Sequence, residues 1–105
     1  MIKTLKNILG ISQKVNIGEL ISKGALIIDV RSKGEYAGGH LKGSVNVPQD
    51  ELSGYLKKIK DKNHTIITCC ASGMRSASAK SFLKGQGYIN VHNGGSWFSL
   101  KKYEK

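Results

Sequence analysis

Apolar residues along this chain gather in short blocks set off by glycines, and the blocks follow two periods. ALIIDV at 25–30 and TIITCC at 65–70 are aliphatic runs without polar alternation, the pattern of strands buried on both faces. Elsewhere the apolar positions recur at helical spacing. In DELSGYLKKIK at 50–60, Leu52, Tyr55, Leu56 and Ile59 share one face, with Asp50 and Glu51 at the positive end of the dipole and Lys57, Lys58 and Lys60 at the negative end. This is the clearest helix signal in the chain. SASAKSFLKGQG at 76–87 predicts a second helix that buries Ala79, Phe82 and Leu83 and closes at Gly87.

Shorter elements are marked by their caps. Asn16 can cap a helix running to about Lys23, with Glu19 at its third position and Val15 stapled onto Leu20, and Gly24 stops it. Ser32 and Glu35 form a capping box directly after the first strand, opening a short helix that ends at Gly38 and Gly39. SVNVP at 44–48 and INVHNGG at 89–95 predict two further short strands, the latter running into a glycine-rich turn before a terminal helix over Trp97–Tyr103. Strand and helix alternate, which predicts an α/β fold with a parallel sheet covered on both faces. Ligands of such sheets gather beyond the carboxyl ends of the strands, and CCASGMRS lies at one of those ends.

Length confines the picture to one domain, expected over 14–105, preceded by a short basic amphipathic arm at 1–13. The longest unbroken apolar run, 25–28, is far short of the roughly 20 residues a membrane-crossing helix needs. The start, MIKTLKNILGIS, interrupts its apolar residues with Lys6, Asn7 and Gly10, unlike a secretory signal, so a cytoplasmic location is expected. The net charge of +10 comes from 15 lysines and two arginines against seven acids. The lysines are scattered, with no dense basic run and little aromatic interleaving, which argues against nucleic acid as the main partner and leaves small anions. The two arginines, Arg31 and Arg75, both fall inside motifs.

Cys69 and Cys70 are the only thiols. Adjacent residues bridge only with badly strained geometry, and no second cysteine pair or histidine at ligand spacing suggests a metal, so neither a staple nor a metal site is expected. The loop that follows points instead to nucleophilic chemistry. Between a buried strand and a helix start, the backbone N–H groups of CASGMR can turn inward, with Gly73 free to adopt a conformation that a side chain would resist. The helix dipole and the guanidinium of Arg75 add positive charge, and a thiol at the mouth of such a ring ionises more readily. Cys70 opens the loop and is the candidate nucleophile. Cys69, one residue earlier, points to the other face and is expected to be a small buried hydrophobe. A histidine base from among His40, His64 and His92 is the alternative scheme, and nothing in their spacing supports it.

DVR at 29–31, EY at 35–36, GHLKGSVNVP at 39–48, CASGMRS at 70–76, and GG followed by Trp97 together resemble a single-domain rhodanese, in order and spacing, over 14–102. The resemblance implies a rhodanese-like fold, a five-stranded parallel sheet with helices on both faces. It implies a sulfurtransferase in which Cys70 takes sulfane sulfur from a small anionic donor such as thiosulfate, holds it as a persulfide, and passes it to a thiol, cyanide or protein acceptor. No cofactor is implied. Ala71, Ser72, Gly73, Met74 and Arg75 would supply the loop that steadies the persulfide, with Arg75 also binding the donor.

The same resemblance makes Asp29, Arg31 and Glu35 structural, an ion-paired corner and a helix cap. His40 becomes a framework residue, and Gly94, Gly95 and Trp97 a turn and packing anchor. Phosphatases and arsenate reductases related to this fold resemble Cys, five residues, Arg, whereas only four residues separate Cys70 from Arg75 here. A relay or partner-binding module is the other alternative. Lys42 stands where relatives commonly have proline and Ser44 where alanine is frequent, both away from the loop. Ala71, Ser72 and Met74 carry no charge, so any preference for an anionic donor rests on Arg75 and the basic surroundings.

Overall fold

Ile66–Cys70, the most deeply buried run among the described residues, forms an interior strand of a parallel sheet. The structure is a computed structural model that describes residues 15–104. Its strands are β1 (Leu26–Asp29), β2 (Val45–Asn46), β3 (Ile66–Cys70) and β4 (Val91–Ser96), in the spatial order β2-β1-β3-β4 with every pair parallel. Leu26 lies opposite Ile66, and Ile66 in turn opposite Val91. The helices are α1 (Ile17–Ser22), α2 (Lys33–Ala37), α3 (Leu52–Tyr55) and α4 (Met74–Gly85), and the chain closes in a 3₁₀ segment, Trp97–Tyr103.

Alternation along β1 and β3 divides the core into two layers. Ile28, Ile66 and Cys70 pack on one face beneath Leu52, Ile59, Ala79, Leu83 and Tyr88, which α3, α4 and the segments after them supply. Ile27, Ile67 and Cys69 pack on the other with Leu41 and Leu100, covered by Ile17, Leu20 and Tyr103. Each aliphatic side chain sealed this way contributes about 1.5–3 kcal/mol, and both faces of β1 and β3 are used, which is why neither strand shows polar alternation.

The caps form as expected. Asn16 accepts the Glu19 N–H at 3.0 Å, and Ser32 and Glu35 make the full capping box of α2. Four strands stand among the described residues rather than the five that the family resemblance implied. The hydrophobic pattern itself contains four β-type runs between residues 15 and 104, and each of them forms a strand.

The helix expected over 50–60 breaks into a 3₁₀ turn (Gln49–Glu51), the single α turn α3, and another 3₁₀ turn (Leu56–Lys58). Ser53 and Gly54 sit at its centre, and both are poor helix formers. The apolar face survives the break, with Leu52 and Ile59 buried. The long helix starts at Met74, two residues before the expected point, and buries Ser76, Ala79 and Leu83. Phe82, expected in the core, is exposed on the rim of a groove it shares with Gln49, Leu52, Ser53 and Ala79. The terminal helix is 3₁₀ throughout. The proposed arm at 1–13 lies outside the described residues. Among those residues no helix is long and apolar enough to cross a membrane.

Candidate active site

Cys70 ends β3, and Ala71, Ser72 and Gly73 carry the chain to the first turn of α4. This turn is possible because Gly73 adopts φ +101°, and a Cβ there would also press within 3.4 Å of Gly95 Cα. The conformation directs N–H groups at the sulfur. Gly73 N–H donates to Cys70 Sγ at 3.0 Å and Ser76 N–H at 3.4 Å, while the Ser76 hydroxyl lies 3.4 Å away. In the thiol form Sγ–H donates to Ser76 Oγ, whose own proton reaches Asn93 Oδ1 at 2.6 Å. A thiolate reverses the first contact, since the hydroxyl can then donate to sulfur.

Cys70 is buried, yet its sulfur meets amide and hydroxyl hydrogens, not hydrocarbon alone. Burial alone pushes the thiol up. Hydrogen bonds from the Ser76 hydroxyl and from the backbones of Ser76, Gly73 and Ser72 outweigh it, so the thiol sits below its ordinary range. Cys69 shows the opposite outcome: buried on the other face, it is pushed up to about 12, chiefly by desolvation, with Asp29 adding to the effect. Two adjacent thiols thus acquire opposite chemistry from the alternation of one strand.

Of the loop residues picked out from sequence, Gly73 and Ser72 face the sulfur through their backbones, while the Ala71 and Met74 side chains are exposed. Arg75, expected to help bind the donor, is paired with an acid in this structure. Its two terminal nitrogens grip the Glu35 carboxylate at 2.8 and 3.0 Å, linking α4 to α2. Glu35 is held at about 2, chiefly by this bond and then by the Ser32 backbone N–H.

Two residues absent from that selection complete the site. Ser76, in the first turn of α4, is fully buried and supplies both an N–H and a hydroxyl to Cys70. A small polar residue directly after Arg75, where a helix start meets the loop, is the signal that could have found it. Asn93 accepts from Ser76 and from the Gly95 N–H at 2.9 Å and donates to Gly73 O at 3.1 Å, bracing the loop from β4. Nothing local in VHNGG marks that role, because it depends on β4 lying beside β3.

Gly94 and Gly95, expected in a turn, lie instead within β4, while the other framework residues behave as expected. Asp29 and Arg31 form a buried pair at 2.8 Å, Arg31 also donates to Gly39 O at 2.7 Å, and Trp97 lies against the guanidinium, 4.7 Å from its ring centre. His40 stacks on Tyr36 at 3.8 Å and bonds its carbonyl, and His64 lies in an exposed turn. His92 is half-buried on β4, its protonation disfavoured by burial and then by Lys80 and Lys84. Among the described residues no three His, Cys, Asp or Glu side chains converge to hold a metal, and the donors around Cys70 suit an anion.

The chain is similar to known proteins along most of its length. The thiosulfate sulfurtransferase PspE of Escherichia coli is 36% identical over 69 residues, which cover 65% of this chain and 66% of that protein, just under two thirds of its length. The thiosulfate sulfurtransferase GlpE of Ectopseudomonas mendocina is 33% identical over 82 residues, covering 78% of this chain and 74% of that one. Among solved structures, an E. coli rhodanese with anions superposes with a TM-score of 0.67 at 33% identity, over 71% of this chain and 89% of that one. The family model for the rhodanese-like domain matches residues 14–100, nearly the whole chain. A parallel α/β sheet, a cysteine at the end of an interior strand and a loop folded back over its sulfur thus come with sequence likeness along most of the length: this chain belongs to the rhodanese-like domain family.

Proposed function

We propose that the protein is a sulfurtransferase that moves sulfane sulfur from a small anionic donor to a thiophilic acceptor by way of a persulfide on Cys70. The observation that carries this reading is the polar ring around one thiol: Gly73 N–H at 3.0 Å and Ser76 N–H at 3.4 Å, at the start of a 12-residue helix. Such a ring favours the thiolate first and the anionic persulfide afterwards. The names of the relatives support sulfur transfer as the class of reaction.

With thiosulfate as donor, the Cys70 thiolate attacks the sulfane sulfur, a new S–S bond forms, and the S–S bond of thiosulfate breaks with its electron pair leaving on sulfite. The charge of minus three on the reactants is preserved, one negative charge now on the persulfide and two on sulfite. A thiolate or cyanide acceptor then attacks the outer sulfur and returns Cys70 to the thiolate. No net oxidation is needed, and no cofactor enters. Ser76 and the loop N–H groups hold the negative charge in every state, which is their contribution to catalysis. A reducing compartment such as the cytoplasm fits this chemistry, because both thiols are free.

The test is mass spectrometry of the intact protein after thiosulfate. One added sulfur is expected on the wild type and on Cys69→Ser, and none on Cys70→Ser. A wild type that gains no sulfur from thiosulfate or from a hydropersulfide ends this reading.

A further inference from the structure

Arg75 is the one cation within the loop segment 70–76, and it is already engaged. Its two terminal nitrogens bind both oxygens of Glu35 at 2.8 and 3.0 Å, so the pair is bidentate and carries no net charge. Glu35 cannot readily swing aside. Its Oε1 also receives the Ser32 N–H at 3.0 Å and the Ser32 hydroxyl at 3.1 Å, the bonds that begin α2. A donor anion arriving at Arg75 therefore meets a carboxylate anchored in a helix cap.

The pair is about two-fifths exposed on each side, at 41% and 39%, so water weakens its own attraction. What it imposes on a ligand is a choice by charge. The donors that remain for the sulfur are neutral N–H and hydroxyl groups, and these bind a singly charged donor without asking for a second cation. A dianion gains from Arg75 only what it does not lose to Glu35. Met74, next in the chain, is 78% exposed and supplies a thioether rather than a charge.

We propose that Glu35 is a specificity-determining residue: by clamping Arg75 it tunes the Cys70 site toward monoanionic sulfur donors, the hydropersulfide class, and away from dianionic thiosulfate. This deepens the sulfurtransferase reading and rests on it. The hydropersulfide reaction balances in the same way, with the Cys70 thiolate taking the outer sulfur, the donor S–S bond breaking, and the donor thiolate leaving with the electron pair.

Glu35→Gln isolates the effect, because glutamine at the third helical position can still complete a capping box while it no longer neutralises Arg75. The donors compared are thiosulfate and 2-hydroxyethyl hydropersulfide, whose one charge lies on the outer sulfur. In Glu35→Gln the thiosulfate KM is expected to fall on the order of tenfold, as removal of a unit charge near a dianion does through a largely aqueous dielectric. The hydropersulfide KM is expected to fall by roughly threefold or less, since half the charge feels half the effect. Ser32→Ala, which breaks the cap but keeps the Glu35 charge, should lower the melting temperature and leave the ratio of the two KM values unchanged. Glu35→Ala, lacking both cap and charge, should share the fall in thiosulfate KM.

A ratio unmoved in both Glu35 variants, or moved equally by Ser32→Ala, overturns the assignment while the sulfurtransferase reading stands. If neither donor loads the wild type, both readings fall, and the two failures are thereby told apart.

Discussion

Cys70 and Ser76 are six residues apart, and the hydroxyl of the second is one of the donors that make the first more acidic. Because hydrogen bonds hold Cys70 below the ordinary thiol range, its alkylation by iodoacetamide should rise with pH and level off at a lower pH than that of a free cysteine. The sign follows from the reactive species: a lowered value means that thiolate is already present at pH values where an ordinary thiol is still protonated. In Ser76→Ala one donor is lost while the Ser76 N–H remains, so the midpoint of the alkylation profile should move up by about one pH unit. Ser76→Thr keeps the hydroxyl and should restore the profile. A midpoint identical in Ser76→Ala and wild type would remove the serine from the mechanism. Cys69 serves as an internal contrast, since at about 12 it stays protonated through the same range.

Elements differ in how much room their glycines leave, and this sets what each substitution does. Gly54 lies at the break in the helical segment with nothing within 4 Å of a built Cβ, and its φ is not positive. Gly54→Ala should therefore stabilise the protein by about 0.4–1 kcal/mol, through higher helix propensity and a less free unfolded chain. Gly94, in β4, is the opposite case. A Cβ there would lie 2.8 Å from Ile67 Cγ2 and 3.1 Å from both Leu100 Cδ1 and the Thr68 carbonyl oxygen, with rigid strand backbone behind. Gly94→Ala should cost about 1–3 kcal/mol by overpacking. Urea unfolding of the two variants checks both signs. The element scale also explains why α4 reaches the thiol: β3 delivers Cys70, Gly73 turns the chain, and β4 lies close enough for Asn93 to brace the turn.

Across the whole molecule, Arg31 joins parts that are distant in sequence. Besides Asp29 it binds the Gly39 carbonyl beyond α2 and stacks with Trp97 from the closing segment. Asp29 is fully buried, so removal of the guanidinium would strand a charge within the sheet. Arg31→Ala should lose about 3–5 kcal/mol of stability in chemical denaturation, and Arg31→Lys should not recover it, because an ammonium cannot match the forked contact with the carboxylate. An unfolding midpoint close to wild type for Arg31→Ala would show that the corner is dispensable. Glu35 and Arg75 make a second link, between α2 and α4, at the surface. The first link holds the frame, while the second sets the charge presented beside the thiol.

How much of this was legible beforehand follows from the range of each interaction. Local order determined the four strands, the caps at Asn16 and Ser32, the alternation that separates Cys69 from Cys70, and the turn at Gly73, because each depends on neighbours within a few residues. The motif set carried the family for the same reason, being a series of short spacings. The break in the helix at 50–60 does not show in the hydrophobic pattern, because a strong apolar face masks the low propensity of Ser53 and Gly54. Only the tertiary structure decided the rest: Phe82 on a rim rather than in the core, Asn93 behind the loop, and the Glu35 carboxylate occupying the guanidinium of Arg75. Those contacts span 17 to 40 residues of chain, and no periodicity or spacing encodes which side chains a folded sheet will bring face to face.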